Sequence, residues 1–324
     1  MLTVVLVLLV GYAAFLIWVP VHSFNSMPRV DSTPTGERPA SGAGKNFLLV
    51  GSDSREGLTP EQEIALSTGS AAQDPGQRTD TIMVLHRSSS GKDVLISIPR
   101  DSYVAIPGHG HNKINAAFAI GGPKLLVTTI EQATGLRIDG FVKVGFAGFA
   151  SVVDALGGVE ICVPFDMDDW RAGINLKAGC QVLQGPEALG FVRARYSDPR
   201  GDIGRAERQR QFLKAVMTQA LTPATLLNPF RYYAVVMAPS KGLTLGEDTS
   251  MWETAQVFLT MRAVSRGDGL SLVVPIATAA LQTPNAGIAV KWDTARASAL
   301  FDALNRGESL TEPPPGTNGV PSGR

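Results

Sequence analysis

The chain has 324 residues, and 29 Lys and Arg balance 29 Asp and Glu, so its formal net charge is zero. That balance argues against a basic protein that coats nucleic acid. Charged residues make up 18% of the chain, below the roughly 25% usual for soluble proteins, so a local cluster of arginines stands out. The length is enough to bury a substantial core in one large domain or two.

In chain order, "MLTVVLVLLVGYAAFLIWVPV" carries no charged side chain. It is about as long as a bilayer-spanning helix, about 20 residues. It lacks a basic leader and an A-x-A cleavage site, so a retained anchor over 1–22 is expected rather than a signal peptide. Residues 23–44 are rich in Pro, Gly and Ser and predict a flexible tether. Between 45 and 305, "NFLLVG", "TIMVLHR", "DVLISIP", "GFVKVGF", "GVEICVP" and "LSLVVPI" read as strands. Helical patterns cover 124–134, Phe146–Leu156, 205–221 and 249–264. Strands interleaved with helices predict an α/β sandwich. The tail, 306–324, is again rich in Pro and Gly and is expected to be disordered.

There are two cysteines, Cys162 and Cys180. Two lone thiols would be ordinary in a cytosolic protein, but a pair bracketing one short insertion in an exported chain predicts a disulfide. His109 and His111 lie in a Gly-rich "GHGHN" stretch, which reads as a surface turn rather than a metal ligand set.

The most unusual stretch is "FVRARYSDPRGDIGRAERQRQFLKAV". Phe212, Leu213, Val216 and Ala220 recur at helical spacing and mark a buried stripe. Running that stripe backwards by three, four and seven residues lands on Gln209, Arg208 and Arg205. Glu207, Arg210 and Lys214 fall on the opposite face, where solvation suffices. An unpaired buried guanidinium costs several kcal/mol, so Arg205 and Arg208 require an anion from the protein or a ligand. Asp202 offers one carboxylate for several arginines, and the guanidinium fork suits phosphate oxygens, so a ligand with more than one phosphate is indicated.

Polar residues also end the strands: Asp53 and Arg55, Arg78 and Asp80, Arg100 and Asp101. Ligand sites of open α/β sheets gather at strand ends, so these pairs are candidates to converge. Asp53 and Asp80 would suit Mg²⁺ held against a diphosphate, although each residue alone fits an ordinary turn or cap. The chain has no nucleotide-binding G-x-x-x-x-G-K-[ST] loop and no G-x-S-x-G elbow. "GFAGFA" lacks dinucleotide-binding spacing and is expected to serve close packing. Charge stabilisation at phosphorus remains as the indicated chemistry.

In this order, "LLVGSDSR", "RTDTIMVLH", "SIPRDSYV", "HNKINAAFAIGGP", "VDALGGVEICVP", "LQGPEALGFVRAR" and "DIGRAERQRQFL" resemble the LytR-CpsA-Psr family of bacterial envelope proteins. The resemblance covers about 45–221, with a looser continuation to about 306. It implies an α/β/α sandwich with a mixed central sheet and a tunnel for a polyprenyl tail. It also implies a single-pass membrane protein with its catalytic domain outside the cytoplasm. Such a transferase moves a glycopolymer from a polyprenyl-pyrophosphate carrier to peptidoglycan through a phosphodiester, assisted by Mg²⁺ or Mn²⁺. By position, Asp53 and Asp80 match metal-associated carboxylates. Arg55, Arg78, Arg100, Arg193, Arg195, Arg205, Arg208 and Gln209 match positions around the pyrophosphate. Asp101 and Asp202 match acidic positions that orient arginines or assist the acceptor hydroxyl. Asp80, Asp101 and Asp202 are all candidates for the general base. A lipid-pyrophosphate hydrolase and a non-catalytic carrier-binding protein need the same charges, and no readable motif names the polymer.

Overall fold

A computed structural model of the chain describes residues 2–52, 58–67, 79–198, 202–220 and 222–322. Its centre is a seven-stranded mixed sheet, in the order Arg29–Val30, Leu243–Gly246, Gly140–Val144, Lys45–Ser52, Thr79–Arg87, Val94–Ile98, Leu270–Val273. Strands Lys45–Ser52, Gly140–Val144, Val94–Ile98 and Leu270–Val273 share one direction, and Thr79–Arg87 opposes them. Four carboxyl ends therefore lie along one edge, together with the start of Thr79–Arg87.

The sheet is covered on both faces, which is why its strands are apolar at successive positions rather than at alternate ones. In Lys45–Ser52, Leu48 and Val50 face a core shared with helices Ile114–Thr134 and Thr294–Asn305, including Phe118, Leu126, Ile130, Leu300 and Phe301. Phe47 and Leu49 face the other side, against Met261 and Val257 of helix Met251–Arg266 and Leu213 and Met217 of helix Asp202–Ala220. Each fully buried aliphatic or aromatic side chain contributes about 1.5–3 kcal/mol. The α/β/α sandwich follows from this double coverage.

The helix expected over 124–134 is longer, Ile114–Thr134, and passes through a kink at Gly121 and Gly122 ahead of Pro123. Gly122 adopts φ 62°, a left-handed conformation that favours glycine. The "GVEICVP" strand forms as Val159–Val163, but it pairs with Gly179–Leu183 in a separate hairpin and not in the main sheet. This hairpin belongs to a second core, with Phe146, Val153, Leu156, Phe191 and Phe212. Helix Asp202–Ala220 is wedged between that core and the sheet.

Cys162 and Cys180 stand opposite each other in the hairpin and form a disulfide. A crosslink of this sequence separation is worth about 3 kcal/mol. Cys162→Ser with Cys180→Ser is therefore expected to lower unfolding free energy by about 2–4 kcal/mol, measured by chemical denaturation of the full chain; an unchanged midpoint would contradict it.

Two stretches expected to be loose are packed. Arg29–Val30 joins the sheet edge, Arg38 pairs with the buried Glu131, and Ala43 N donates to Asn305 O. In the tail, Thr317 is buried and its carbonyl accepts from Val273 N, while Ser322 N donates to Ile276 O. The tail thus covers the exposed edge strand Leu270–Val273. Pro and Gly exclude regular elements there, but they do not prevent irregular chain from packing.

His86 is buried in strand Thr79–Arg87, with Nδ1 2.8 Å from Asn46 Oδ1. Asn46 Nδ2 donates to Arg137 O, which leaves its Oδ1 to accept from an Nδ1–H tautomer of His86. Burial pushes the His86 pKa from 6.5 down to about 4, with the Asp139 charge opposing. The unfolded chain thus takes up this proton below about 6.5 and the folded chain only near 4. Stability is full above pH 6.5 and falls by up to roughly 1.4 kcal/mol per unit as pH drops towards 4. Denaturation midpoints across that window, with the His86 ring resonance followed by NMR, check this; a ring titrating near 6.5 in the folded protein would contradict it.

Candidate functional site

The site is built at the sheet edge where the four carboxyl ends meet. Ile82 pairs with Ile98 across antiparallel strands, so the start of one strand and the residues after the other come together. Asp80 accepts an ion-paired hydrogen bond on Oδ1 from Arg100 Nη1. Asp101 Oδ2 lies 3.7 Å from Arg100 Nε, and its Oδ1 lies 3.1 Å from Lys113 Nζ. The result is a chain of alternating charge, Asp80, Arg100, Asp101 and Lys113, partly open to solvent. Lys113 was not singled out from the sequence; the quoted "HNKINAAF" contained it, but no local pattern ties it to Asp101.

Helix Asp202–Ala220 lies across this edge. Gln209 Nε2 donates to Thr81 Oγ1 at 2.8 Å, beside Asp80. Arg205 is buried one turn earlier on the same helix face. Arg193 reaches the edge from another direction. Its guanidinium sits 4.8 Å from the ring centroid of Phe146, the residue that opens the helix after strand Gly140–Val144. Its Nη1 donates to Leu66 O and Ser67 O, each at 3.3 Å. Arg195 is half-buried, and its backbone N donates to Asp169 Oδ2 at 2.8 Å.

Asp169 is a residue the sequence reading missed. Burial acts to raise its pKa, but donation from the backbone N–H groups of Tyr196, Arg195, Ala172 and Arg171 outweighs it, and the net shift is downward. This carboxylate fixes the path of the arginine-bearing loop.

Arg208 departs from its expected role. It is 1% exposed, and its guanidinium pairs through Nη1 with Asp198, donates through Nε to Phe191 O at 3.0 Å and through Nη2 to Ala194 O. The anion anticipated for it is supplied by the protein. Arg208 is a positioning residue that ties helix Gly185–Arg193 and the following loop to helix Asp202–Ala220. Asp198 packs so closely on Gly204 that a Cβ there would overlap its carboxylate, which explains the glycine of "DIGR".

Arg210 also departs from expectation. It is half-buried, its Nη1 is buried without a hydrogen-bond partner among the described residues, and burial pushes its pKa down. Glu207 and Lys214 are exposed as expected. A helix wedged between two cores has less solvated face than one apolar stripe suggests. In "GFAGFA", Gly148 stacks on Gly242 with no room for a Cβ, so the close-packing reading holds.

Asp53, Arg55 and Arg78 lie outside the described residues, as does the Asp202 side chain. Asp80 has the donor chemistry Mg²⁺ uses, a carboxylate on a partly solvated edge with Arg100 engaging Oδ1. Among the described residues, no group of three or more His, Cys, Asp and Glu side chains forms a closed metal cage.

The LytR_cpsA_psr family model matches residues 23–262. The probable cell wall biosynthesis protein LcpB of Corynebacterium glutamicum is 45% identical over 303 residues, 93% of this chain and 70% of that protein. The polyisoprenyl-teichoic acid–peptidoglycan teichoic acid transferase TagU of Oceanobacillus iheyensis is 35% identical over 232 residues, 67% of each chain. A LytR-Csp2A-Psr enzyme from Actinomyces oris shares the fold at TM-score 0.65 and 22% identity, covering 86% of this chain and 96% of that one. The strand-end motifs, the helix that crosses the sheet edge and these likenesses agree: the chain belongs to the LytR-CpsA-Psr family.

Proposed function

We propose that the protein is a membrane-anchored transferase that moves a glycopolymer from a polyprenyl-pyrophosphate carrier to peptidoglycan through a phosphodiester bond. The observation that carries this is the charge chain Asp80, Arg100, Asp101 and Lys113, set beside the helix face of Arg205 and Gln209. It presents directed cations at the mouth of an α/β sheet, which suits charge stabilisation at phosphorus. The activity named for the TagU relative supports the substrate class.

A hydroxyl of peptidoglycan attacks the sugar-linked phosphorus, and the bond from that phosphorus to the bridging oxygen breaks. Polyprenyl phosphate leaves with the bonding pair. Arg100 and Arg205 bind the pyrophosphate oxygens and stabilise the negative charge that develops on the leaving phosphate. Asp101 and Asp80 hold the Arg100 fork in place. The hydroxyl proton passes to a carboxylate, with Asp80 and Asp101 of this edge, and by family position Asp202, as the candidate bases. Mg²⁺ or Mn²⁺, held by Asp80 with Asp53, would supply further charge neutralisation on the phosphates.

The helix Leu2–Ser26 is long and apolar enough to cross a membrane, and in this reading it anchors the enzyme with its catalytic domain outside the cytoplasm. The test incubates the full chain with a short-chain polyprenyl-pyrophosphate glycan, Mg²⁺ and a peptidoglycan fragment, followed by mass spectrometry. The expected product is a glycan-phosphate-peptidoglycan adduct that chelation suppresses and Arg205→Ala abolishes. Free glycan phosphate alone would identify a hydrolase, and intact bound carrier a binding protein.

A further inference from the structure

Helix Leu2–Ser26 does not leave the folded domain as a free rod. It packs against helix Pro229–Met237, which runs parallel to it, and three contacts fix the register: Ser23 Oγ donates to Val236 O at 2.7 Å, Tyr232 Oη to Leu16 O at 2.9 Å, and Tyr12 Oη to Leu226 O at 2.7 Å. Phe15 packs on Tyr232, and Val19 and Ser23 are buried. The corner between the short helix Pro223–Leu226 and Pro229–Met237 is thereby placed beside the middle of the apolar helix.

That corner is apolar and uncovered. Leu227 is 75% and Phe230 86% exposed, and Leu226 and Tyr233 extend the same patch. From 222 to 237 the one charged residue is Arg231, and its Nη2 is turned inwards to Leu156 O at 2.9 Å. Backbone polarity at the corner is satisfied locally: Asn228 accepts from Phe230 N and Arg231 N, and Thr222 accepts from Thr225 N. Apolar side chains over a self-satisfied backbone are what hydrocarbon tolerates and water does not favour.

Depth selects the occupant. Leaving the apolar helix, the first charged side chain is Arg29. Tyr12 lies ten residues before His22, roughly 15 Å deeper at 1.5 Å per residue, about half of a hydrocarbon core of roughly 30 Å. A corner bonded to Tyr12 cannot stand in water if the helix spans the bilayer.

We infer that the Pro223–Met237 corner is a second membrane element, inserted among the acyl chains of the leaflet nearest the catalytic domain, with Leu227 and Phe230 as its lipid-facing tip. This rests on the anchor reading above. Held by two insertions instead of one, the domain has a fixed tilt and height, which presents its sheet edge to pyrophosphate headgroups at the membrane surface.

The test places single nitroxide labels on added cysteines at Leu9, Ser90, Leu227 and Phe230 of the full chain in phosphatidylcholine–phosphatidylglycerol nanodiscs, leaving the native disulfide intact. Accessibility to oxygen and to a water-soluble nickel chelate is then compared. The ratio of the two at Leu227 and Phe230 is expected to exceed that at Ser90 by about tenfold and to approach that at Leu9, as for sites within hydrocarbon. Water-like ratios at Leu227 and Phe230 with a lipid-like Leu9 would overturn the insertion and leave the anchor standing. Water-like ratios at all four sites would remove the anchor and the insertion together. Low access of both reagents at Leu227 and Phe230 would identify protein, such as a second copy, as the occupant and overturn the proposal.

Discussion

Asp198→Ala is expected to destabilise the protein by about 3–5 kcal/mol, because it strands a charged guanidinium in the interior. Arg208 and Asp198 are both buried, their side chains 2% and 0% exposed, so solvent screening gives no relief. The two carbonyls that also accept from Arg208, Phe191 O and Ala194 O, satisfy hydrogen bonds but do not neutralise charge. Replacing both partners with apolar residues, Arg208→Met with Asp198→Leu, is expected to recover much of the loss, since desolvating the pair offsets much of its attraction. Arg208→Lys is expected to destabilise the protein as well, because an ammonium cannot reach three acceptors in the fixed directions of the fork. Urea denaturation of the four proteins checks this, and an Asp198→Ala midpoint equal to that of the wild type would contradict the buried clamp.

Arg100→Ala is expected to behave oppositely, with a large catalytic loss and little effect on stability. Arg100 pairs with Asp80 at the sheet edge, where the carboxylate is about a third exposed, and a pair so placed contributes about 1 kcal/mol or less. If Arg100 stabilises the developing phosphate charge, its removal costs transfer about 100-fold to 1,000-fold, as for other directed donors at a reacting centre. The loss falls mainly on kcat, because the interaction strengthens as charge builds. Arg100→Lys is expected to lie between, keeping the charge and losing the fork. A variant folded as well as the wild type that transferred at the wild-type rate would remove Arg100 from the chemistry.

These two arginines mark how far the sequence could be read. The strand ends at Asp80, Arg100 and Asp101 were legible because a buried apolar run leading into charge has little structural reason. The topology then did what sequence order could not, joining Asp80 to Arg100 across antiparallel strands. Helix phase correctly turned Arg205, Arg208 and Gln209 inwards. It did not identify what Arg208 meets, since Asp198 lies ten residues earlier in the sequence with no helical periodicity to follow. The same stripe argument sent Arg210 to solvent because it assumes one buried face, whereas Asp202–Ala220 contacts two cores. Composition misled at the tail for a related reason: Pro and Gly signal the absence of regular elements, yet Thr317 O accepts a single backbone hydrogen bond from Val273 N of the edge strand.

The central claim is the fate of one phosphorus atom. The full chain would be given carrier with a radioactive label at the sugar-linked phosphorus, together with a peptidoglycan fragment, and the label followed into separated products. The account predicts that the label passes into the peptidoglycan adduct while unlabelled polyprenyl phosphate is released. Label retained on the polyprenyl product, or released as free glycan phosphate while acceptor is present, would contradict it.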